Sequence, residues 1–343
     1  MKVSKQNLGI DLASQISEIT LEKVSGVGLE NARENLPHSK ASIAGLKDSL
    51  TDVDTSSAIV IAAGPSLHKK DVAAQIKDSN YEGVLIATES AMWYCLRNGI
   101  VPHVIVTLDP HHKRIVRFLG DPDLTEADLA SDDYFRRQDL DPEFQKNELK
   151  RNAELVTLVD QYGPGIKAAV ATCASTSVVG RCIDSGMEHY WWNPFYDDVD
   201  ESDSITRQVY GMNHLPCLNA GGNVGTACWV IAHSFLGAEE VALTGMDLSY
   251  YDDTELSQTQ YYYELLDLVG EDRIAEAFIH IENPYLKRSW FTDPTYYWYK
   301  DAFLEMASDA PCRTYNCTEG GILFGDGVEF VSLDSFLKRH VKA

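Results

Sequence analysis

From residue 57 onward the apolar positions fall into short, β-branched runs, each closed by glycine, proline or a hydroxyl residue and separated by stretches with helical spacing. The pattern predicts strands at Ala58–Ala62, Val84–Thr88, Val104–Leu108, Ala168–Ala171, His189–Trp192, Val241–Thr244 and Arg313–Asn316. Continuous apolar runs suit strands covered on both faces, and alternation with helices predicts a mostly parallel sheet with crossover helices.

The flanking pattern is different. In residues 1–50 the apolar spacing from Ile10 to Leu21 predicts a helix, Leu36-Pro37 a break, and Ser42–Leu46 a second short helix. Gly26-Val27-Gly28 has no strand before it and reads as a turn, not a phosphate loop. Two stretches interrupt the strand pattern. Residues 114–160 are polar and acid-rich, as in Asp121-Pro122-Asp123 and Asp132-Asp133, and predict a helical insertion or lid. Residues 250–300 are dense in tyrosine and contain Trp290 and Trp298, predicting a helical cap, a surface for rings or sugars, or a contact in a homo-oligomer. The expected fold class is therefore α/β: a Rossmann-like catalytic domain over 51–343, an N-terminal helical segment over 1–50, and insertions near 114–160 and 250–300.

Composition narrows the function. The 343 residues carry a formal charge of −23, and no Lys/Arg run interleaves with aromatics, which argues against a nucleic-acid partner. A small anionic substrate remains compatible, because local amides and arginines outweigh distant charge that salt screens within about 8 Å. Seven scattered cysteines without CxxC spacing read as reduced and buried. No stretch has the length and apolarity of a membrane span, and Met1–Gln6 does not open a secretion signal, so the cytoplasm is the expected location.

Three segments carry candidate chemistry. Ala62-Ala63-Gly64-Pro65-Ser66-Leu67 ends a strand in a sharp turn, either an anion cradle of amides and a hydroxyl or a tight turn whose serine caps the next helix. Thr107-Leu108-Asp109-Pro110 places Asp109 at another strand end, where it suits a ribose hydroxyl, a metal, a reacting group or a helix cap. His111 and His112 follow it and titrate near neutrality. Asn219 to Ala227 is a glycine-rich turn opening an apolar helix, with amides aimed at any anion seated there, and it lacks the Lys-Ser/Thr ending of a P-loop.

In this order, Ala63–Leu67, Leu108-Asp109-Pro110, Gly221–Val224 with Leu236-Gly237-Ala238, Thr244–Leu248 and Asn316–Gly321 resemble the motility accessory factor family. That family includes flagellin glycosyltransferases and is grouped with 6-hydroxymethylpterin diphosphokinase-like proteins. The layout is also similar to bacterial sialyltransferases that use a CMP-activated sugar. The resemblance implies a nucleotide pocket formed by Gly64, Pro65 and Ser66; by Thr88, Glu89 and Ser90; by Gly221, Gly222, Asn223, Gly225 and Thr226; and by Gly245, Met246, Asp247 and Tyr250. It implies transfer of a sugar from a nucleotide donor to a glycan or protein hydroxyl, with Asp109, His111 or His280 as the base and Mg²⁺ as an optional cofactor. The alternatives are pyrophosphate transfer from ATP to a pterin alcohol, or nucleotide binding without catalysis. Two positions depart from the sialyltransferase pattern: Ala63 stands where asparagine is common, and Phe291-Thr292-Asp293 where a catalytic histidine is expected.

Overall fold

A computed structural model describes residues 8–111, 116–131 and 142–340. Nine strands form one sheet: β1 (Asp54–Ile61), β2 (Gly83–Thr88), β3 (Val104–Thr107), β4 (Lys167–Ala171), β5 (Glu188–Pro194), β6 (Cys217–Leu218), β7 (Glu240–Thr244), and, after the three strands of a second sheet, β11 (Arg313–Asn316) and β12 (Val328–Phe330). Their spatial order is β12-β11-β7-β1-β2-β3-β4-β5-β6, and every neighbouring pair is parallel. All seven strands expected from the sequence are present. The two-residue β6 and the edge strand β12 were not expected.

Period-two alternation divides the core. Ala58 and Val60 of β1 point to a layer holding Trp229 and Phe303, while Ile59 and Ile61 point to the opposite layer with Leu67, Tyr315 and Phe336. Both faces are thus covered by helices, which explains why β1 reads as an unbroken apolar run. Chain order runs outward from β1 to β6 on one side of the sheet, then returns to place β7 on the other side of β1. The gap between β1 and β7 is therefore the topological switch point, the place where ligands bind in open α/β sheets.

The N-terminal segment is joined to this sheet by its side chains. Its long helix, Ile16–Asn35, runs straight through Gly26 and Gly28, which form no turn. A side chain at Gly28 would strike the Tyr196 ring, so glycine there permits close packing inside a helix. Asn31 and Asn35, one turn apart, share a helix face. The Asn31 amide donates to the Pro110 and Cys173 carbonyls at 3.0 and 2.9 Å, and that of Asn35 to Thr172 and Ala174 at 3.0 and 2.7 Å. The helix is pinned in this way across the carboxyl ends of β3 and β4. The second predicted helix is a pair of 3-10 turns, Ile43–Gly45 and Lys47–Ser49.

The described parts of the first insertion are helical, at Glu126–Ser131 and Pro142–Tyr162. The second is not simply a helical cap. It contains a three-stranded antiparallel sheet, β8 (Tyr250–Tyr251), β9 (Ile279–Asn283) and β10 (Arg288–Thr292), in the order β8-β10-β9. Alternation in Arg288–Thr292 turns Trp290 into one apolar cluster and Phe291 into another, a strand signal masked in the sequence by the surrounding tyrosines. Among the described residues no helix is long and apolar enough to cross a membrane. Six cysteines are buried and Cys217 is half-buried, all as free thiols.

Adjacent loops at the switch point touch backbone to backbone. The Gly64 amide donates to the Gly245 carbonyl at 2.8 Å, and Gly245 has φ +67° with its α-hydrogen facing the Ala62 carbonyl. Gly245→Ala would add both a left-handed strain and a collision, and is expected to cost about 2–4 kcal/mol in urea denaturation. Gly99→Ala is the matched control: Gly99 also has positive φ (+72°) but open space around it. Its cost should stay near 1 kcal/mol.

Candidate active site

A cleft of about 1460 Å³ opens over the carboxyl ends of the central strands. Its floor is the loop after β1 (Ala62 to Pro65), the turn after β2 (Thr88 to Ser90), Leu108 to His111 after β3, the glycine turn Asn219 to Gly225, and Gly245 to Tyr250 after β7. Ile16, Ile19, Thr20, Leu21 and Val24 of the N-terminal helix form one wall. Tyr261, Tyr296, Trp298 and Tyr299 of the aromatic insertion and the helix behind it form another.

The loop after β1 differs from the simple anion cradle expected. Its Gly64 amide is bonded to Gly245, its Ser66 amide donates to Asp247 Oδ2 at 3.3 Å, and the Ser66 hydroxyl donates to the same oxygen at 2.7 Å. Ser66 is buried behind the cleft wall and locks the β1 loop to the β7 loop. Gly64 has to be glycine because any Cβ would collide with the Asp247 carboxylate and the Gly245 carbonyl. Burial raises the Asp247 carboxyl to about 6, against the pull of the Ser66 donors and the nearby Lys69 charge.

The glycine turn retains the predicted geometry. Gly221 and Gly222 have φ +53° and +79°, and Asn223 caps the helix Val224–Val230, accepting from the Thr226 amide at 2.9 Å while its own amide group donates to the Thr226 hydroxyl at 2.9 Å. Thr226 is thus buried as a structural partner and does not line the cleft. The first amides of the helix, at Val224 and Gly225, have no carbonyl one turn back within it, and both residues border the cleft. Gly222 lies so close to Trp298 and Tyr299 that no side chain would fit, which brings the amide turn up against the aromatic wall. Gly225 packs less tightly, with a Cβ there 3.2 Å from the Met246 sulfur.

The strand ends supply the acids. Thr88 and Ser90 share a hydroxyl contact at 3.0 Å beside Glu89, which is 3% exposed yet borders the cleft. Asp109 is half-buried and its Oδ1 accepts the His111 amide at 2.8 Å, leaving the His111 ring on the exposed rim. His112 lies outside the described residues. His280 is not brought to this site: it is exposed on β9, 5.9 Å from the Phe291 ring, and does not border the cleft. Tyr250 borders the cleft, but its hydroxyl donates to Asp293 Oδ2 at 2.8 Å and accepts the Gln260 amide at 3.0 Å. Asp293 is fully buried, caps the helix Pro294–Ser308 through the Tyr296 amide at 2.9 Å, and is raised by burial to about 6. The segment Phe291-Thr292-Asp293, where the resemblance expects a histidine, therefore includes a structural anchor in Asp293.

Two details escaped the sequence reading, an arginine of the first insertion at the cleft and which of the dense tyrosines line it. Arg117, from the first insertion, borders the cleft and pairs with Glu148 at 3.2 Å. The aromatic wall draws its rings from Tyr261 to Tyr299: Tyr250 stacks on Tyr296 at 5.5 Å and 26°, and Tyr261 meets Tyr296 edge-on at 5.6 Å. The tyrosine density was the available signal, but not which rings faced inward. Among the described residues no group of three or more His, Cys, Asp or Glu side chains is arranged to hold a metal ion.

A doubly wound α/β sheet with its cleft at the switch point defines the structural class. Within the chain, residues 29–133 match the family model described as 6-hydroxymethylpterin diphosphokinase MptE-like, a segment that includes β1, β2, β3, Glu89 and Asp109. The solved structure of a MAf glycosyltransferase from Magnetospirillum magneticum AMB-1 is similar with a TM-score of 0.48 and 14% identity, over 87% of this chain and 38% of that one. No curated protein matches the chain.

The Ser66–Asp247 lock makes a signed prediction. The Ser66 hydroxyl stabilises the ionised form of Asp247, so Ser66→Ala raises that carboxyl further. Its stability deficit should be small at pH 5, where Asp247 is largely protonated, and grow to about 1–3 kcal/mol at pH 8. Urea denaturation of both proteins at the two pH values measures the difference.

Proposed function

We propose that this chain is a transferase that binds a nucleotide-activated sugar, with a CMP-sugar favoured, and moves the sugar to a hydroxyl acceptor. The observation that carries the reading is the cleft itself: a glycine-rich helix start meets a wall of aromatic rings at Gly222 and Trp298. Amides and a helix N-terminus suit phosphate, while ring faces suit the apolar face of a sugar. A volume near 1460 Å³ exceeds what one drug-sized ligand fills and leaves room for donor and acceptor together.

In this reading the phosphates sit at Val224 and Gly225, with Ala63 and Pro65 beside them. Ser66, Thr226 and Gly245 act indirectly, by fixing the loops. Asp109, at the rim of the cleft, is the base for the acceptor hydroxyl, and its hydrogen bond from the His111 amide orients the carboxylate. The electrostatic cost of bringing phosphate toward the carboxyls of Asp109 and Asp247 is offset by the helix amides.

The family-model match over residues 29–133 favours a second reading, transfer of pyrophosphate from ATP. A thermal-shift panel of CMP, CDP, UDP, GDP, AMP and ATP, with and without Mg²⁺, separates the two. Selective stabilisation by CMP or another pyrimidine or guanine nucleotide, by about 2–3 kcal/mol at a hundredfold excess over Kd, is the expected outcome. A response to ATP with Mg²⁺ alone would favour pyrophosphate transfer, and no response to any nucleotide would remove both readings.

A further inference from the structure

The cleft contains two carboxyl groups at adjoining strand ends in opposite environments. β2 and β3 pair in register, Thr88 opposite Val106, so Glu89 and the segment leading to Asp109 leave the sheet side by side. Asp109 is half-buried with a backbone donor on Oδ1. Glu89 is buried, and its Oε2 has no hydrogen-bond partner among the described residues. Burial, and then the Asp109 charge, push the Glu89 carboxyl up to about 8. A buried, unpartnered acid oxygen is expensive unless it is protonated or meets a ligand, and two carboxyls held apart in this way divide the roles of acid and base.

Building on the transferase reading, we propose that Glu89 is the proton donor to the departing nucleotide phosphate, paired with Asp109 as acceptor of the attacking hydroxyl's proton. The bond between the anomeric carbon and the phosphate oxygen breaks, and its electron pair goes to that oxygen, which takes the Glu89 proton. The acceptor oxygen bonds to the anomeric carbon as its own proton passes to Asp109. Glu89 ends ionised and Asp109 protonated, and return of the proton from Asp109 to Glu89, directly or through water, restores the pair. No oxidant, reductant or further reactant is needed.

This role gives nucleotide binding a specific pH dependence. Protonated Glu89 donates to a phosphate oxygen, whereas ionised Glu89 repels it, so affinity should fall as pH rises through the Glu89 transition. Among the described residues, the other titratable groups that interact with Glu89 are Asp109 and the thiols of Cys173, Cys182 and Cys228. Burial raises Cys173 and Cys182 to about 12 and Cys228 well above its usual value, so the thiols stay neutral in the relevant range.

The test is calorimetric titration of the full chain with whichever nucleotide of the panel stabilises it most, from pH 7 to 9.5. Wild type is expected to lose roughly tenfold or more in affinity across that range, and Glu89→Gln to lose much less. The difference between the two proteins cancels any titration of the nucleotide itself. Asp109→Asn removes the repelling charge and should move the wild-type inflection to lower pH, which tests the pairing even if the Glu89 variant does not fold. Equal profiles in wild type and Glu89→Gln, or an inflection unmoved by Asp109→Asn, would overturn the assignment while leaving the transferase reading intact. Failure of every nucleotide to bind wild type would remove that reading and this role with it.

Discussion

The candidate site depends on one contact, between the loop after β1 and the loop after β7. These strands are neighbours in the sheet, yet Ser66 and Asp247 are separated by 181 residues. Their loops cross closely enough that Gly64 and Gly245 cannot carry side chains, and the Ser66–Asp247 hydrogen bond closes the crossing. Asp247 accepts two donors in a site where burial opposes its charge, so the lock couples loop position to protonation. Two neighbouring turns pack on this crossing: Gly225 of the glycine turn meets Met246, and Gly321 packs against the Asp247 backbone.

The sheet was legible because a parallel strand covered on both faces leaves a local signal, a short apolar run with a breaker after it. All seven expected strands obey that rule. β6 and β12 have two and three residues, too few for periodicity to register. The antiparallel strands β9 and β10 were hidden because exposed His280 and Glu282 alternate with buried residues among aromatics that equally suit a helical cap.

The site was legible by position more than by role. The segments containing Gly64, Glu89, Asp109, Gly222 and Asp247 do converge on one cleft. Sequence could not assign their hydrogen bonds, however. Ser66 and Thr226 look like ligand hydroxyls but serve neighbouring loops, and the segment Phe291-Thr292-Asp293, where a catalytic histidine is expected, holds Asp293 as the anchor of Tyr250 and a helix. Glu89 is placed in the pocket by the resemblance, but its raised carboxyl shows only once its burial is known, because desolvation depends on residues distant in the chain.

The two asparagines that pin the N-terminal helix have a consequence for the order of folding. The helix is near the start of the chain, but the carbonyls it binds belong to residues 110 and 172–174, so its longest closures span 142 and 139 residues. Closing loops of that size costs entropy before any contact compensates, and a helix able to form locally must await its docking surface. As the chain leaves the ribosome, β1, β2 and β3 can pair in sequence, but the helical wall cannot settle until β4 is in place. The switch point is completed later still, when β7 returns to β1. The cleft is therefore a late product of folding, and shorter nascent chains carry its acids without its enclosure.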